Sequence, residues 1–432
     1  MDTVSYQPLI LDQHMNDFLE LMEYSGQSMF ITGKAGTGKS TLLQLFKNTT
    51  KKNVVALAPT GIAALNIQGQ TIHSFFGFPA RLITNKDIRR VSNYGLIRKI
   101  DVLIIDEISM VRADLMDGID QMLRINRGTE APFGGVQLML FGDLFQLPPV
   151  LATTEEKEYF RTYYNSPYFF DAKIFKHGYE LKNYELQKVY RQDERHFIRL
   201  LDNIRTGTFD WDDLEEINQR VEPDANKDEM IVLAGRNATV DRINKDSLSK
   251  IKEETYTFHA NVTGNFDLRR CPADISLDLK KGARVMFIKN DPLRKYVNGT
   301  LGIIDSMTFN EIKVRILDNN LNETIVTVEK ETWEMHRYKL NQENQSKIDI
   351  EVIGTFSQFP VRLAWALTIH KSQGKTFDRL FLDNEQRMFE HGQLYVALSR
   401  CRTMDGLHLH KPVTPRDIMI DPTVMSYYVS NF

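Results

Sequence analysis

The chain has 432 residues, of which 42% are hydrophobic and 26% are charged, as in an ordinary globular protein of roughly two to four domains. It contains no apolar run of about eighteen residues, no secretory signal at the N-terminus and only two cysteines, which excludes a membrane span and a disulfide framework. The net charge of −3 excludes a uniformly basic nucleic-acid binder, so any positive field must be local.

Residues 28 to 150 alternate between short apolar segments and helical patterns. The near-continuous runs of valine, isoleucine and leucine predict strands that are covered on both faces, and therefore a parallel sheet with helices outside it. Residues 71–99 are too polar and irregular to be core, and we predict an insertion there. The predicted strands cover residues 28–31, 54–58, 102–105 and 136–141.

A phosphate loop follows the first predicted strand. Residues 33–40 read Gly-Lys-Ala-Gly-Thr-Gly-Lys-Ser and match the pattern G-x-x-x-x-G-K-[ST] at every fixed position. In such a loop, backbone N–H groups cradle phosphates at the positive end of a helix, Lys39 contacts the β- and γ-phosphates, and Ser40 binds Mg²⁺. ATP and Mg²⁺ are therefore the predicted cofactors. The predicted nucleotide contacts are Gly33, Gly36, Thr37, Gly38, Lys39, Ser40 and Thr41.

Two acidic residues end the strand predicted at 102–105. Asp106 lies where a parallel sheet presents ligands at its carboxyl edge, and we predict that it holds Mg²⁺, through water, near Ser40. Glu107 is the predicted general base that takes a proton from the attacking water. Acidic pairs also commonly cap strand ends, but the apolar residues before this pair and the phosphate loop upstream favour the catalytic interpretation.

Two isolated arginines are candidates for completing the site. Arg191 lies in Tyr-Arg-Gln and Arg400 in Ala-Leu-Ser-Arg. Phosphoryl transfer depends on positioning and charge neutralisation, and an arginine finger contributes about 10³–10⁵ in rate. Taken alone, either residue is more often a surface arginine. Gln146, after a buried strand, is placed to sense the γ-phosphate, and Gln13, before the first strand, is a weaker candidate for reading adenine.

A second series of strands and helices appears late in the chain. Its strands are predicted at 230–233 and 380–383, and its helices at 237–249 and 393–400. Between about residues 251 and 353 the sequence changes to short alternating stretches with turn signals, which predicts a small antiparallel barrel inserted in a loop. A locally basic stretch at 279–300 lies in this region, and it is equally typical of a solvated barrel face.

These segments together resemble the Pif family of DNA helicases, within the 5′→3′ branch of superfamily one. The most family-specific stretch is Pro-Phe-Gly-Gly-Val-Gln at 132–137, which runs into Gly-Asp-Leu-Phe-Gln-Leu-Pro-Pro-Val at 142–150. The ordered match extends from about residue 11 to 411 and includes Leu-Thr-Ile-His-Lys-Ser-Gln-Gly at 367–374. Residues 112–127 fit the family signature only loosely, and there we predict only an amphipathic helix.

The resemblance implies an α/β fold with two RecA-like P-loop domains, a small β-barrel (SH3-like) insertion in the second and a small insertion in the first. ATP would bind between the motor domains, and nucleic acid across their top. The implied boundaries are residues 1–70 and 96–182 for the first motor domain, 71–95 for a strand-separating element, 183–250 and 354–432 for the second motor domain, and 251–353 for the barrel.

The resemblance also implies roles for individual residues. It places Lys39, Ser40, Asp106, Glu107, Gln146, Arg191 and Arg400 at the family's ATP-site positions, with Gln13 as the adenine reader and Gln373 and Gly374 near the γ-phosphate.

A single-strand binder combines phosphate contacts with faces for base stacking. An isolated histidine is more often structural, and a Phe-Phe pair more often core. Phe75, Phe76 and Phe78 are candidates to stack a base or wedge the duplex junction. The resemblance reverses the structural expectation for His73 and His370, and less clearly for these phenylalanines. The predicted nucleic-acid contacts are Thr60, Thr71, His73 and Phe75 on the first motor domain, and Thr368, His370 and Lys371 on the second.

We therefore expect a monomeric, cytoplasmic bacterial or phage helicase that moves along single-stranded DNA by ATP-driven inchworm steps and unwinds duplex. Expected partners are single-stranded DNA and duplex or G-quadruplex junctions, with RNA–DNA hybrids as further targets and no membrane. Three alternatives stay open: a RecD-like or Dda-like helicase of the same branch, an ATP-gated clamp that does not travel, and an AAA-type ring ATPase. The stretch at 132–137 favours the Pif family, and the second strand–helix series argues against a ring.

Overall fold

The computed structural model describes residues 13–92, 94–192, 194–227, 230–268, 271–291, 293, 295–317, 323–341, 343–344 and 347–432. The first part of the chain forms a six-stranded parallel sheet with the order β3-β2-β4-β5-β1-β6. Its strands are β1 (Met29–Gly33), β2 (Val54–Ala58), β3 (Gln70–Thr71), β4 (Val102–Ile105), β5 (Gln137–Phe141) and β6 (Lys182–Leu186).

Both faces of this sheet are covered, as the apolar runs predict. In β4, Leu103 and Ile105 join one hydrophobic cluster, whereas Val102 and Ile104 join a second cluster on the opposite face. Successive side chains of a strand point to opposite faces. A continuous apolar run therefore contributes side chains to the hydrophobic clusters on both faces of the sheet. The α/β class with a parallel sheet is therefore confirmed.

The helices around this sheet begin next to the segments that the sequence marks as functional. Helix α2 starts at Lys39, within the phosphate-loop motif, and the hydroxyls of Thr60 and Thr71 cap α3 and α4. The helices are α1 (Gln13–Tyr24), α2 (Lys39–Thr49), α3 (Gly61–Asn66), α4 (Ile72–Phe76), α5 (Tyr94–Ile97), α6 (Ala113–Arg127), α7 (Thr154–Tyr163) and α8 (Lys173–Lys176).

The segment between β3 and α5 is more closely packed than predicted. Ile72, Phe76, Phe78 and Ile83 are buried in the same hydrophobic cluster as one face of the first sheet. The expectation that residues 71–99 lie outside the core was therefore wrong for these side chains. Ile72 and Phe76 lie one turn apart on the short helix α4, whereas Phe78 and Ile83 lie outside helices and strands, so the sequence shows no sustained period over this segment.

After β6 the chain continues into α9 (Arg195–Thr206), α10 (Trp211–Asn218), β7 (Ile231–Ala234) and α11 (Asn237–Lys250). Ten antiparallel strands then form what we term the inserted β-domain, residues 256–363. They are β8 (Tyr256–His259), β9 (Asn261–Gly264), β10 (Ser276–Leu279), β11 (Arg284–Phe287), β12 (Leu301–Met307), β13 (Glu311–Leu317), β14 (Glu323–Glu329), β15 (Glu331–Leu340), β16 (Ile348–Gln358) and β17 (Val361–Leu363).

The inserted strands pair in three sheets, ordered β14-β13-β12-β11-β17, β15-β16-β9 and β10-β8. Their antiparallel pairing agrees with the predicted insertion, and an SH3-like barrel remains a prediction. The chain then returns through β18 (Ala366–Thr368), β19 (Leu380–Asp383), α12 (Gln393–Leu398), β20 (Leu407–Leu409) and α13 (Pro422–Asn431). Strands β18, β7, β19 and β20 form, in that order, a second parallel sheet.

Strand pairing and packing differ from the predicted domain boundaries at three places. Strand β6 pairs with β1, so the first sheet continues past residue 182. Strand β16 runs through the boundary predicted at 353, and β17 pairs with β11 of the inserted β-domain. Helix α13, assigned by sequence to the second motor domain, packs on the first sheet through aromatic contacts. Tyr427 stacks on Phe170 at 4.2 Å, and Phe432 lies 6.0 Å from Phe30. None of the helices in the described part of the chain has the length and apolar character needed to cross a membrane.

Candidate nucleotide site and nucleic-acid contacts

A cavity of about 530 Å³ opens beside the phosphate loop. Most of the predicted site residues line it, although they come from distant parts of the sequence. Gly33 and Gln373, both described, lie outside the lining, and the side chain of Gln13 is outside the described part of the structure. The lining residues are Met15, Ala35, Gly36, Thr37, Gly38, Lys39, Ser40, Thr41, Asp106, Glu107, Gly142, Asp143, Gln146, Lys188, Tyr190, Arg191, Gly374 and Arg400.

The phosphate loop wraps closely against the residues that follow β6. Gly36 has a φ of 84°, and a Cβ atom there would lie 2.5 Å from the Cβ of Arg191. Only glycine adopts this backbone readily and leaves that space free. Gly36 stands at a variable position of the loop pattern, and its lack of a side chain allows a predicted arginine finger to approach the loop.

Lys39 lies at the start of α2 with its amine inside the loop. Its Nζ is 2.5 Å from the carbonyl oxygen of Gly33 and 3.0 Å from that of Lys34. Burial lowers the pKa of Lys39 to about 8, although the charges of Asp143 and Glu107 act in the opposite direction. A buried ammonium gains stability from a nearby anion, so the loop favours a bound phosphate.

Asp106 and Glu107 follow β4 at the carboxyl edge of the first sheet. Burial raises the pKa of Asp106 to about 7, with a further contribution from the charge of Glu107. Burial also raises the pKa of Glu107. Glu107 has a φ of 50°, a backbone conformation that is uncommon for a residue other than glycine and costs about 1–3 kcal/mol. Such strain is typical of functional sites.

The donors of this cavity fit Mg²⁺. The Asp106 carboxylate and the exposed Ser40 hydroxyl line the same space, and Mg²⁺ prefers oxygen ligands of this kind together with phosphate oxygens. A divalent ion bound here would stabilise the charged form of Asp106, whose pKa burial raises.

Arg191 and Arg400 both face the cavity. Arg400 is 1% exposed and donates to the Val396 carbonyl at 2.9 Å and to the Ser399 hydroxyl at 2.8 Å. Arg191 lies 3.4 Å from the carbonyl oxygen of Gly374. Burial, together with the like charge of Arg191, lowers the pKa of Arg400 to about 9. Arg400 is buried and Arg191 is half-buried beside it, so an anion in the cavity would stabilise both cations.

Gln146 lies at the far side of the phosphate loop and is 9% exposed. Its backbone N–H donates to the carbonyl of Asp143 at 3.0 Å, and its Nε2 lies 3.3 Å from the carboxylate of the same residue. Gln373, by contrast, has a buried Nε2 with no hydrogen-bond partner among the described residues, while its neighbour Gly374 lines the cavity.

Six lining residues were not among the predicted contacts: Ala35, Gly142, Asp143, Met15, Lys188 and Tyr190. Met15, Lys188 and Tyr190 lie at the end of the cavity next to Gly38, where an added Cβ would be 2.8 Å from Met15 Cε and 3.7 Å from Tyr190 Cε2. The Nζ of Lys188 is 4.9 Å from the Tyr190 ring centroid. Tyr190 directly precedes Arg191 in Tyr-Arg-Gln. An aromatic residue next to a predicted arginine finger was the sequence feature that could have identified Tyr190 as a site residue.

The predicted nucleic-acid residues fall at the carboxyl edges of the two sheets. Thr60 follows β2 and Thr71 ends the adjacent β3, and each hydroxyl accepts a backbone N–H as a helix cap. Thr368 ends β18 and accepts the N–H of Lys371 at 3.3 Å. The Nε2 of His370 lies 3.0 Å from Glu390.

Phe75 and His73 lie on α4 and are both half-buried. The ring of Phe75 packs edge-on against Phe76, with centroids 4.9 Å apart, and against Tyr338 of the inserted β-domain, at 5.9 Å. In this arrangement the face predicted to stack on a base is partly covered by the inserted β-domain.

Comparison with known proteins identifies the family. The family described as PIF1-like helicase matches residues 7–215. A protein of Bdellovibrio bacteriovorus named ATP-dependent DNA helicase Pif1 is 33% identical over 421 residues, covering 94% of this chain and 88% of its own. The chain belongs to the PIF1-like helicase family. The human ATP-dependent DNA helicase PIF1 is 32% identical over 418 residues, and this chain spans 61% of its length.

Solved structures of Pif1 from Bacteroides sp match nearly the whole chain. The complex with ADP-AlF4 is 39% identical, covers 98% of this chain and 97% of its own, and has a TM-score of 0.89. The complex with single-stranded DNA has the same identity and coverage but a TM-score of 0.69. The predicted family and the two-domain RecA-like fold are confirmed.

Proposed function

We propose that this chain is an ATP-dependent helicase that translocates 5′→3′ along single-stranded DNA and opens the duplex ahead of it. One observation carries the proposal: Arg191 and Arg400, from the predicted second motor half (residues 183–250 and 354–432), line the same cavity as the phosphate loop and Glu107 of the first motor half. A nucleotide in this cavity would contact both halves, so its hydrolysis can change their separation.

The site residues have separate tasks in this proposal. Lys39 holds the β- and γ-phosphates, and Glu107 accepts a proton from the water that attacks the γ-phosphorus. Gln146 orients that water, while Arg191 and Arg400 stabilise the charge that develops on the transferred group. Asp106 and Ser40 would hold Mg²⁺, which when bound neutralises charge on the phosphate oxygens. Met15 and Tyr190 would enclose the base, with Gln13 as its predicted reader.

Translocation requires that the two strand-binding groups change affinity in opposite directions as the nucleotide changes. The first group is Thr60, Thr71, His73 and Phe75, and the second is Thr368, His370 and Lys371. ATP would draw the halves together around the arginines, and hydrolysis would release them. Each cycle would then advance one group along the strand while the other holds it.

The proposed track is single-stranded DNA next to a duplex. A Bacteroides Pif1 has been solved bound to single-stranded DNA, and another structure concerns unwinding at forked duplex DNA by two coordinating Pif1 helicases. By this likeness we propose forks as substrates, with G-quadruplex junctions and RNA–DNA hybrids as further targets and a monomer as the translocating unit. The remaining assignments, Gly33, Thr41, Gln373 and Gly374 as nucleotide contacts, belong to the same proposal.

The test is unwinding of one labelled duplex that bears either a 5′ or a 3′ single-stranded tail, with ATP and Mg²⁺. Opening of the 5′-tailed duplex alone supports the proposal, and opening of the 3′-tailed duplex alone contradicts the direction. If neither opens while DNA-stimulated ATP hydrolysis persists, the non-travelling clamp is correct instead. Lys39→Ala is the control: substantial ATP hydrolysis by this variant would show that the cavity is not the active site.

A further inference from the structure

A buried carboxylate, that of Asp143, forms part of the wall of the nucleotide cavity. Oδ1 of Asp143 lies 3.2 Å from the backbone nitrogen of Phe145 and 3.2 Å from Nη2 of Arg205. Its Oδ2 lies 3.3 Å from the Gln146 amide and 3.4 Å from the Tyr395 hydroxyl. Asp143 therefore connects Gln146, which faces the cavity, with Arg205 of α9 and Tyr395 of α12.

The hydroxyl of Tyr395 makes two hydrogen bonds, one as an acceptor and one as a donor. It accepts the backbone N–H of Ala35 in the phosphate loop at 2.9 Å and donates to the Asp143 carboxylate. Tyr395 is 3% exposed, and burial, followed by the charge of Asp143, raises its pKa well above the usual range. The hydroxyl thus keeps its proton, which the bond to Asp143 requires. One oxygen atom joins the phosphate loop, Asp143 and helix α12.

Arg205 supplies the charge that balances Asp143. It is 1% exposed, on helix α9, and its Nη2 also lies 3.4 Å from Glu185. Its guanidinium carbon is 4.4 Å from the ring centroid of Phe145. A buried ion pair of this kind contributes little net stability compared with apolar packing, but it specifies geometry, because removal of one partner leaves an unpaired buried charge.

We propose that Tyr395 and Arg205 are positioning residues for ATP hydrolysis: they hold Asp143, and through it the Gln146 amide, in register with the phosphate loop. This inference rests on the proposed function, because it requires ATP in the cavity. Tyr395 also lies on α12, the helix that leads to Arg400. The same hydroxyl therefore aligns the cavity-facing amide on one side and the arginine on the other.

Tyr395→Phe removes the hydroxyl and keeps the ring. At saturating single-stranded DNA we expect kcat for ATP to fall about tenfold, which corresponds to about 1.4 kcal/mol of lost transition-state stabilisation. We expect KM for ATP to change by less than about threefold, because Lys39 and the loop still bind the phosphates. This pattern identifies an interaction used in the transition state rather than in ground-state binding.

The matched control is Tyr168→Phe. Tyr168 is also 1% exposed, and its hydroxyl donates to Asp421 at 3.0 Å, but neither residue lines the nucleotide cavity. Both variants lose one tyrosine–aspartate hydrogen bond, and Tyr395→Phe also removes the acceptor of the Ala35 N–H, so its melting temperature is expected to fall at least as far as that of the control. A fall in kcat is expected only for Tyr395→Phe.

Arg205→Lys tests the second positioning residue, because lysine keeps the charge and loses the planar fork. We expect a comparable fall in kcat for Arg205→Lys. In the double variant with Tyr395→Phe, the fold-decrease in kcat should be smaller than the product of the two single fold-decreases, since both residues act through Asp143. The inference is overturned if Tyr395→Phe loses stability like the control but keeps kcat within twofold, or if only KM rises. Persistent hydrolysis by Lys39→Ala would instead overturn the proposed function itself.

Discussion

The hydroxyl of Tyr338 lies 3.0 Å from the backbone nitrogen of Ala56 and 3.4 Å from its carbonyl oxygen. A side chain of the inserted β-domain thereby binds both polar groups of a residue in β2. The pairing of the two-residue strand β3 with β2 begins at Leu57, so Tyr338 bonds the position just before it. The side-chain amide of Gln70 also donates to the carbonyl of His336. Together these bonds keep Tyr338 against the ring of Phe75.

Tyr338→Phe should increase the affinity for single-stranded DNA. The substitution removes about 1 kcal/mol from the docked arrangement, which shifts the equilibrium roughly fivefold toward an arrangement with Phe75 uncovered. We expect a severalfold lower Kd for a labelled oligothymidine in fluorescence anisotropy without nucleotide. Tyr427→Phe, which removes a hydroxyl that bonds Asn183 of β6, is the control and should leave the Kd unchanged. An unchanged Kd for Tyr338→Phe would mean that DNA binding does not require Phe75 to be uncovered.

Glu107→Gln should bind nucleotide normally and hydrolyse it about 10²–10⁴-fold more slowly, because the amide cannot accept the proton of the attacking water. Steady-state ATP hydrolysis and nucleotide affinity, measured on the same preparation, separate these effects. Glu156→Gln replaces another buried glutamate, one that caps helix α7, and should hydrolyse ATP at the parent rate. Normal hydrolysis by Glu107→Gln would exclude Glu107 as the base.

Arg400→Ala should bind ATP nearly normally and lose about 10³-fold or more in kcat, the range of an arginine finger. Arg400→Lys should recover only part of the loss, since a single ammonium cannot reproduce the guanidinium fork. The nearby Arg402→Ala is the control: its side chain is 51% exposed and pairs with Asp378 at 3.0 Å, a contact worth at most about 1 kcal/mol. Equal turnover in the Arg400 and Arg402 variants would remove Arg400 from the site.

Asp106→Asn should stabilise the ligand-free protein increasingly as the pH rises from 5 to 8. Burial raises the pKa of Asp106 to about 7 in the folded state, above the usual value near 3.9. The folded state then binds the proton more tightly than the unfolded state, so this contribution to stability is complete below about pH 4 and is lost as the pH rises through 7. Melting temperatures of both proteins at several pH values, without nucleotide, measure the difference.

Asp87→Asn tests a carboxylate whose pKa is shifted in the opposite direction from that of Asp106. The hydrogen bond from Arg81 lowers the pKa of Asp87 to about 2, so its stabilising contribution is present above about pH 4 and lost only at more acidic pH. The melting-temperature difference for Asp87→Asn should therefore stay constant between pH 5 and 8. A constant difference for Asp106→Asn as well would mean that Asp106 ionises in the folded protein at its ordinary pKa.

The residues that carry nucleotide chemistry were predictable from local sequence. A phosphate loop needs its glycines, lysine and serine at fixed separations, and a strand covered on both faces needs a continuous apolar run. The strands predicted at 54–58, 102–105 and 380–383 accordingly agree with β2, β4 and β19 at both ends. The predicted arginines also reach the cavity, although spacing alone did not show how close they come to Gly36.

The contacts between distant segments were not predictable, because they depend on which surfaces meet after folding. Nothing local to Arg205, Tyr395 or Tyr338 distinguishes them from an ordinary amphipathic residue. Their partners, Asp143, Ala35 and Ala56, lie 62, 360 and 282 positions away. The same reason explains why the burial of Phe76 and Phe78 was not predicted. It also explains why α13, whose aromatic side chains pack on the first sheet, was assigned by sequence to the second motor domain. Local patterns encode strands, helices and the phosphate loop, whereas packing between the halves of the chain determines which polar groups share one buried site.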